Sequence, residues 1–225
     1  MSLRDGKGGV LAVVAGLLAF AVSPAHAEVA ADSSGSVGGG QARFGTTAVD
    51  IGPLAPCAAG GPGIGTTPGA SDGPISFGSG KSTCVFDPLT EQVSATVLGS
   101  DFAVKAKVDT TDLPELSIGD YKVTCYTTAE GGVTSSVSLK NVTGVKLPDP
   151  IPEDYTVLVP GFFPDDPPIA KIVFNETVEA DPPDGSLTVH AVKIWFYPDT
   201  DPNGPPAPNS GAITVGSVTC TPSHH

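Results

Sequence analysis

The sequence is poor in the side chains on which most catalytic and nucleic-acid-binding sites depend. It holds 4 histidines, and its 11 lysines and arginines are outnumbered by 24 aspartates and glutamates, so the formal net charge is −13. A surface of this sign repels phosphate backbones and anionic lipid headgroups. We therefore predict no nucleic-acid partner and no direct binding to lipid.

Helical periodicity is also missing. The chain has 28 glycines and 23 prolines. Beyond residue 27, every stretch of helix length with apolar residues three and four apart is interrupted by a glycine or a proline. Because Gly and Pro interrupt helices, this pattern excludes a predominantly helical fold.

The only long apolar run covers residues 10–22, which is too short to cross a membrane. A spanning helix needs about 20 such residues. Arg4 and Lys7 precede the run, and Ala25-His26-Ala27 supplies the small residues that signal peptidases recognise. We predict a cleaved signal peptide over residues 1–27, no membrane span in the mature chain, and an extracellular or secreted protein that a partner can retain at the cell surface.

Four cysteines are present, and none of them forms the CxxC pair typical of zinc and redox sites. Outside the cytoplasm four cysteines predict two disulfides, for which three pairings are possible. Cys57 and Cys84 bracket a loop-like stretch, whereas Cys125 and Cys220 lie in strand-like sequence. We favour the pairs Cys57 with Cys84 and Cys125 with Cys220, both as structural crosslinks.

From residue 41 onward, short β-branched runs alternate with clusters of Gly, Pro and Asp, at spacings typical of β-sandwiches. Strands are predicted at residues 43–51, 82–86, 92–98, 102–108, 121–127, 133–139, 142–147, 155–159, 169–178, 187–197 and 212–218. Residues 187–197 are apolar on both faces, which predicts a central strand. We predict an all-β fold, an antiparallel β-sandwich-like single domain over residues 41–222 that is stapled by disulfides.

Three stretches are predicted to lack regular structure. Residues 28–40 are small and polar, and we expect a flexible Gly/Ser-rich linker there. Residues 52–81 are dominated by Gly, Pro, Ser and Ala, which predicts a long loop pinned by Cys57. Residues 223–225 are expected to be a disordered tail.

A possible cation site lies in Asp199-Thr200-Asp201-Pro202-Asn203-Gly204. Its oxygen-bearing side chains alternate before a Gly, as in loops that wrap calcium, and Asp199, Asp201 and Asn203 are the candidate metal ligands. Ser210 stands where a closing Glu would be, so a solvated acidic turn is the favoured interpretation. Calcium is the one cofactor that the sequence suggests.

The string Gly78-Ser79-Gly80-Lys81-Ser82-Thr83 imitates part of a phosphate-binding loop. The full pattern requires a further Gly where Ile75 stands, and no strand-loop-helix pattern surrounds the string. We predict a flexible turn that leads into a strand.

Catalytic residues are scarce in the mature chain. Of its histidines, His224 and His225 lie at a terminus, and only His190 falls within a predicted strand. A Ser or Cys nucleophile needs a base within hydrogen-bond distance, and paired cysteines cannot be nucleophiles. We predict that His190 is a strand histidine with satisfied hydrogen bonds and that the protein is not an enzyme.

Three segments resemble the actinobacterial choice-of-anchor P family of exported β-rich proteins. They are Ile172-Val173-Phe174-Asn175-Glu176-Thr177, Gly185-Ser186-Leu187-Thr188-Val189-His190-Ala191-Val192-Lys193-Ile194 and Ile213-Thr214-Val215-Gly216-Ser217-Val218-Thr219-Cys220. Residues 45–53 fit more loosely, and no recognisable anchor follows Cys220. The resemblance implies an extracytoplasmic location, and it transfers no reaction and no catalytic residue.

These observations favour a secreted or envelope-associated, non-catalytic structural or interaction protein whose partner is an envelope protein or a wall glycan. The alternative is a calcium-assisted glycan-binding module that uses Asp199, Asp201 and Asn203. A third hypothesis is a secreted hydrolase. Converging oxygens at the Asp199 loop would favour the second, and a cleft beside His190 with a Ser and a carboxylate would favour the third.

Overall fold

The computed structural model describes residues 31–105, 107–108, 111–161, 167–181, 183–196 and 209–223. Within these ranges no helix is long and apolar enough to span a membrane. The described strands are β1 (Asp32–Phe44), β2 (Thr47–Leu54), β3 (Cys57–Ala58), β4 (Ile64–Thr67), β5 (Ala70–Asp72), β6 (Ile75–Phe77), β7 (Gly80–Asp87), β8 (Gln92–Val104), β9 (Lys107–Val108), β10 (Thr111–Asp112), β11 (Leu116–Thr127), β12 (Val133–Thr143), β13 (Tyr155–Val159), β14 (Ala170–Glu179), β15 (Leu187–Phe196) and β16 (Asn209–Thr221).

The strands form two antiparallel sheets. The first sheet has the order β13-β14-β15-β16-β1-β2, with β3 paired to β1. The second has the order β12-β11-β8-β6-β5, and β7 pairs with both β8 and β4. β9 and β10 form a separate short pair. β15 lies between β14 and β16, so the prediction of a central strand at residues 187–197 is confirmed for the residues of that strand that are described.

The two sheets pack face to face around one apolar core. β1 packs against β7 and β8, and β16 packs against β8 and β11. Within the core, the rings of Phe44 and Phe196 meet edge to face with centroids 4.8 Å apart, and those of Phe77 and Phe102 lie 4.9 Å apart. Such aromatic pairs add to the free energy that their buried area supplies. The predicted antiparallel sandwich is confirmed.

Both disulfides are formed as predicted. Cys57 is joined to Cys84 with a Cα–Cα distance of 5.6 Å, and Cys125 to Cys220 with a distance of 6.0 Å. Cys57 and Cys220 lie in the first sheet, and their partners lie in β7 and β11 of the second. Each disulfide therefore connects one layer of the sandwich to the other.

The prediction of a flexible linker over residues 28–40 is wrong from Asp32 onward, because this stretch belongs to β1. β1 pairs with β16 on one side and with β2 and β3 on the other, so its backbone is hydrogen-bonded across the sheet. Val37 is fully buried, and the neighbouring glycines allow close packing, since a Cβ on Gly38 would overlap the ring of Phe77. Backbone pairing and close approach replace the large side chains that the sequence lacks here.

The long loop predicted over residues 52–81 is also wrong, because the stretch contains the short strands β3 to β6. Its backbone groups are also paired with residues outside the stretch, as in the bonds from the Ala59 amide to the Ser33 carbonyl (2.8 Å) and from the Cys84 amide to the Gly63 carbonyl (2.8 Å). Lys81 and Ser82, which belong to the phosphate-loop lookalike, lie in β7, in agreement with the predicted turn into a strand.

In each sheet there is a row of residues, aligned across neighbouring strands, at which the alternation of buried and exposed positions shifts by one residue. In β15 the buried residues are Val189 and Ala191 before the row, and Val192, Ile194 and Phe196 after it. Two successive residues therefore face the core, although alternate residues of a regular strand face opposite sides.

Residues with positive φ lie at these rows. Asn175 of β14 has φ 54° and Gly216 of β16 has φ 58°, and the register aligns both with Ala191. In the second sheet Asp101 of β8 has φ 50° and Asn141 of β12 has φ 54°. Asn, Asp and Gly adopt this conformation at the lowest cost, so the strands bend and continue.

The bends explain where the predicted strand boundaries fail. Residues 92–98 and 102–108 were predicted as two strands, but β8 runs without interruption from Gln92 to Val104. Likewise β12 continues through Asn141 instead of breaking there. Conversely, the strand predicted at 43–51 is divided between β1 and β2 by a turn at Gly45 and Thr46.

Candidate functional site

Two adjoining concavities of about 320 Å³ each lie on the face of the first sheet that is turned away from the second. They share Gln41 and Asp50, and the neighbouring one continues to Arg43 and Ser210. We call the first concavity the glycine trough. Its lining residues are Ser36, Gly38, Gly39, Gly40, Gln41, Asp50, Ile51, Gly52, Pro53, His190, Thr214 and Ser217.

The trough exists because its floor has no side chains. Gly38, Gly39 and Gly40 follow one another in β1, and a Cβ on Gly39 would lie 2.8 Å from the Gly52 carbonyl oxygen. The bend of the sheet also passes through this point, since Ser36 pairs with Ser217 and Gly38 with Val215 on either side of Gly216. Where two successive residues of a strand face the core, no side chain is left to cover the outer face, and this gap forms part of the trough.

His190 stands at one end of the trough in a row of polar residues that crosses four strands. The register places Glu176, His190, Ser217 and Ser36 side by side. His190 Nε2 lies 3.8 Å from Glu176 Oε2, and the two side chains are 12% and 16% exposed. A histidine, a carboxylate and two hydroxyls thus occupy neighbouring positions on one face.

The prediction that His190 has satisfied hydrogen bonds is wrong. Its Nδ1 and the Oε2 of Glu176 are buried, and neither has a hydrogen-bond partner within the described ranges. Buried polar atoms without partners are uncommon in native proteins, because each costs free energy. Sequence analysis could not detect this, since the strand that carries Glu176 was assigned without its register.

Burial shifts the pKa values of both groups toward their neutral forms. It lowers the pKa of His190 to about 4, with a further contribution from the charge of Lys193. It raises the pKa of Glu176, and Asp154 adds to this effect while Lys193 and Lys171 oppose it. At neutral pH the imidazole is therefore uncharged and able to donate or accept one hydrogen bond at each nitrogen.

A second row leads from an exposed aromatic residue to the trough. The register aligns six residues of the outer face, which are Leu158, Lys171, Trp195, Ala212, Gln41 and Asp50. Trp195 is 39% exposed, and the Lys193 ammonium lies 4.8 Å from its ring centroid. Because neighbouring strands are about 4.8 Å apart, Trp195 and Gln41 lie about 10 Å apart with only the methyl group of Ala212 between them.

The other predicted site residues fall elsewhere. Asp199, Asp201 and Asn203 of the proposed calcium loop lie outside the described residues, as do residues 1–27 and His224 and His225. In the part of the chain that the structure covers, no group of three His, Cys, Asp or Glu is arranged to hold a metal ion.

Much of the trough is built from segments for which the sequence predicts no regular structure. Ser36 and Gly38 to Gly40 belong to the predicted linker, and Gly52 and Pro53 to the predicted loop. The strand predicted at residues 43–51 includes Asp50 and Ile51 of the trough, but the pairing of β1 with β16 joins residues that are distant in sequence. The triple glycine just before the strand predicted at residues 43–51 is the one local signal that could have indicated the floor.

No known protein-family model matches the chain, and no curated protein or solved structure matches it. The resemblance to the choice-of-anchor P proteins stays a prediction. Inferences about function therefore depend on the geometry of the outer face of the first sheet.

Proposed function

We propose that this is an extracytoplasmic, non-catalytic binding protein that holds an envelope component on the outer face of its first sheet. The observation that carries the proposal is the glycine trough beside the exposed Trp195. Concave sites with a few convergent polar groups are the usual ligand sites of proteins, and exposed tryptophan is enriched where proteins bind partners.

Three further observations support this function. Two disulfides are typical of proteins that fold in an oxidising compartment. The basic start and apolar run of residues 1–27 have the pattern of an export signal, and the resemblance to the choice-of-anchor P proteins implies the same location. The net charge of −13 favours a soluble domain over one that adheres to anionic lipid.

Binding of the mature domain to the isolated cell envelope of its source organism tests the proposal. Trp195→Ala should abolish retention on the envelope, whereas Tyr126→Ala should not. Tyr126 is a matched control because it is 48% exposed on the outer face of the second sheet. Equal retention of both variants, or no retention of the unmodified domain, would contradict the proposal.

Export is tested separately with the full chain. Mass spectrometry of secreted protein should find a new N-terminus at Glu28 and no free thiol. Protein that stays inside the cell with its first residues attached would show that the proposed location is wrong.

A second candidate function, hydrolysis by a serine nucleophile, is favoured by the row of Glu176, His190 and Ser217. Two features count against it. Among the described residues the Nδ1 of His190 has no hydrogen-bond partner, so none of their serine hydroxyls donates to it, and the pKa of about 4 makes the imidazole a weak base at neutral pH. We expect no labelling by a fluorophosphonate probe, whereas labelling that Ser217→Ala abolishes would establish the hydrolase instead.

The calcium-assisted alternative is tested by thermal unfolding. If Asp199, Asp201 and Asn203 bind calcium, the melting temperature should rise on adding calcium, and Asp201→Ala should remove that rise. An unchanged melting temperature would eliminate this alternative.

A further inference from the structure

We propose that the ligand of the glycine trough is an uncharged, hydroxyl-rich glycan chain that lies across the Trp195 row with one sugar ring on Ala212. This inference rests on the proposed function, and it adds the chemical class of the ligand.

The groups around the trough are those that bind sugar hydroxyls. Gln41 offers an amide, Asp50 a carboxylate, and Ser36, Ser217 and Thr214 offer hydroxyls. The carboxylate of Asp50 accepts hydrogen bonds and the amide of Gln41 both accepts and donates them, which suits the neighbouring hydroxyls of a sugar ring. The Nδ1 of His190, which has no partner in the part of the chain that the structure describes, adds one more buried polar atom at the end of the trough.

The spacing along the Trp195 row leaves room for a flat ring. Trp195 and Gln41 rise from strands on either side of β16, and the residue between them on that strand is Ala212. A gap of about 10 Å between their backbones accommodates a sugar whose apolar face contacts the indole and whose hydroxyls reach Gln41 and Asp50.

The glycine trough and the adjoining concavity together are long enough for a chain of sugars and not only for a single sugar. The lining runs along β1 from Ser36 to Arg43. At about 3.3 Å per strand residue this distance is about 23 Å, which exceeds the span of one ring several times. The glycine floor presents flat peptide groups over part of this length, and no side chain of these glycines obstructs an extended ligand.

Charge argues for an uncharged glycan over an acidic one. Asp50 lies at the middle of the combined concavity, Glu176 lies beyond His190, and the whole chain has a net charge of −13. Lys193 is already engaged with the Trp195 ring. Arg43 and Lys171 also lie on this surface, so its local charge is mixed, and it is the net charge of the whole chain that would repel a polyanion but not an uncharged chain.

Trp195 makes the test direct, because it is the only tryptophan in the sequence and its fluorescence reports on this row alone. The mature domain is titrated with hexasaccharides of glucose, galactose, mannose and arabinose, and with the polyanion hyaluronate as a comparison. We expect a saturable change in emission with at least one uncharged hexasaccharide and none with hyaluronate.

Two variants retain the reporter and locate the site. Ala212→Gln fills the gap beside Trp195 and should weaken binding by about tenfold or more, which corresponds to about 1.4 kcal/mol. Ser94→Gln is the matched control, since Ser94 pairs with the exposed Tyr126 on the outer face of the second sheet as Ala212 pairs with Trp195. Its affinity should equal that of the unmodified domain.

The outcomes separate this inference from the proposed function. If no uncharged hexasaccharide changes the emission, or if Ala212→Gln and the unmodified domain bind equally, the glycan assignment is wrong. Should envelope retention still depend on Trp195 in that case, the binding function stands with a ligand of another class. Loss of both results would overturn the two proposals together, and cleavage of a hexasaccharide would replace them with the hydrolase.

Discussion

At the scale of single residues, His190 and Glu176 form a pair in which burial opposes the charge of both members. Protonation of Glu176 stabilises the folded domain, because burial raises the pKa of that carboxyl. Protonation of His190 destabilises the folded domain, because the pKa of His190 is about 4 in the folded state and 6.5 ordinarily. Lys193, Lys171 and Asp154 are the other charges that influence the pair. The two groups therefore respond to acid in opposite directions.

His190 should make the domain less stable between pH 6.5 and pH 4. In this window the unfolded chain binds a proton on the imidazole that the folded chain does not, so the free energy of unfolding falls as the pH falls. His190→Gln should remove on the order of 3 kcal/mol of this dependence, as measured by urea unfolding at several pH values.

Glu176→Gln is the companion variant. It removes a desolvated carboxylate, so it should raise stability at neutral pH and leave the histidine effect in place. An identical pH dependence in His190→Gln and the unmodified domain would show that His190 is not shielded from solvent as described.

Tyr121 connects the two sheets by a single hydroxyl. Its OH donates to the Val37 carbonyl at 2.9 Å, and burial raises the pKa of the phenol. Tyr121→Phe removes the donor from a buried acceptor and should lower the free energy of unfolding by about 1 to 3 kcal/mol in urea titrations. A change within experimental error would mean that water replaces the hydroxyl.

At the scale of elements, β1 is a central strand made largely of glycine and serine. Its place between β16 and β2 depends on close backbone approach, which any added side chain would oppose. Glycine weakens strands that stand alone, but here its small size permits the packing of Phe77 against the strand.

Gly38→Ala should therefore destabilise the domain by about 2 kcal/mol or more, because the new Cβ would lie 2.8 Å from the Thr214 carbonyl oxygen and against the Phe77 ring. Gly52→Ala in β2 is the control, since nothing lies within 4 Å of its added Cβ. Chemical denaturation of both variants checks the prediction, and equal stability would contradict the described approach of β1 to its neighbours.

The same elements show what can be predicted from sequence and what cannot. The alternation in residues 155–159 and the two-sided apolar pattern in 187–197 identify β13 and β15, because those strands depend on large side chains. Residues 32–42 of β1 are not predicted as strand because they have few large side chains and because one of their partners is more than a hundred residues away, as in the pairing of Gln41 with Ala212. The row of Glu176, His190 and Ser217 likewise requires a register that no local pattern specifies.

The predicted break between the strands at residues 92–98 and 102–108 is wrong for a related reason. Gly99 is a turn residue by composition, yet it pairs with Tyr121, whose ring lies so close that an added Cβ would be 2.6 Å from Cε2. Glycine here accommodates an aromatic ring, and Asp101 supplies the bend. Composition alone does not distinguish a bend within a sheet from a turn that ends a strand.

At the scale of the whole molecule, the two disulfides fasten the layers to each other. They differ in the length of chain that they close, with sequence separations of 27 and 95. In the chain-entropy account, the longer loop restricts the unfolded state more strongly.

Replacing Cys125 and Cys220 together by Ala should therefore cost about 4.7 kcal/mol of stability, and replacing Cys57 and Cys84 together about 3.6 kcal/mol. Guanidinium unfolding of the two double variants measures both values. The reverse order of stability would show that strain or residual structure, and not loop length, determines the contribution of these crosslinks.

The pairing of β1 with β16 has a consequence for biosynthesis. Asp32 pairs with Thr221, so one side of the first strand has no neighbour until Asn209–Thr221 has left the ribosome. A nascent polypeptide cannot close its first sheet, and sheets that depend on such distant contacts form slowly. If the chain is exported as proposed, delivery to a secretion channel during this delay would find it still unfolded, and its two sheets would assemble after passage.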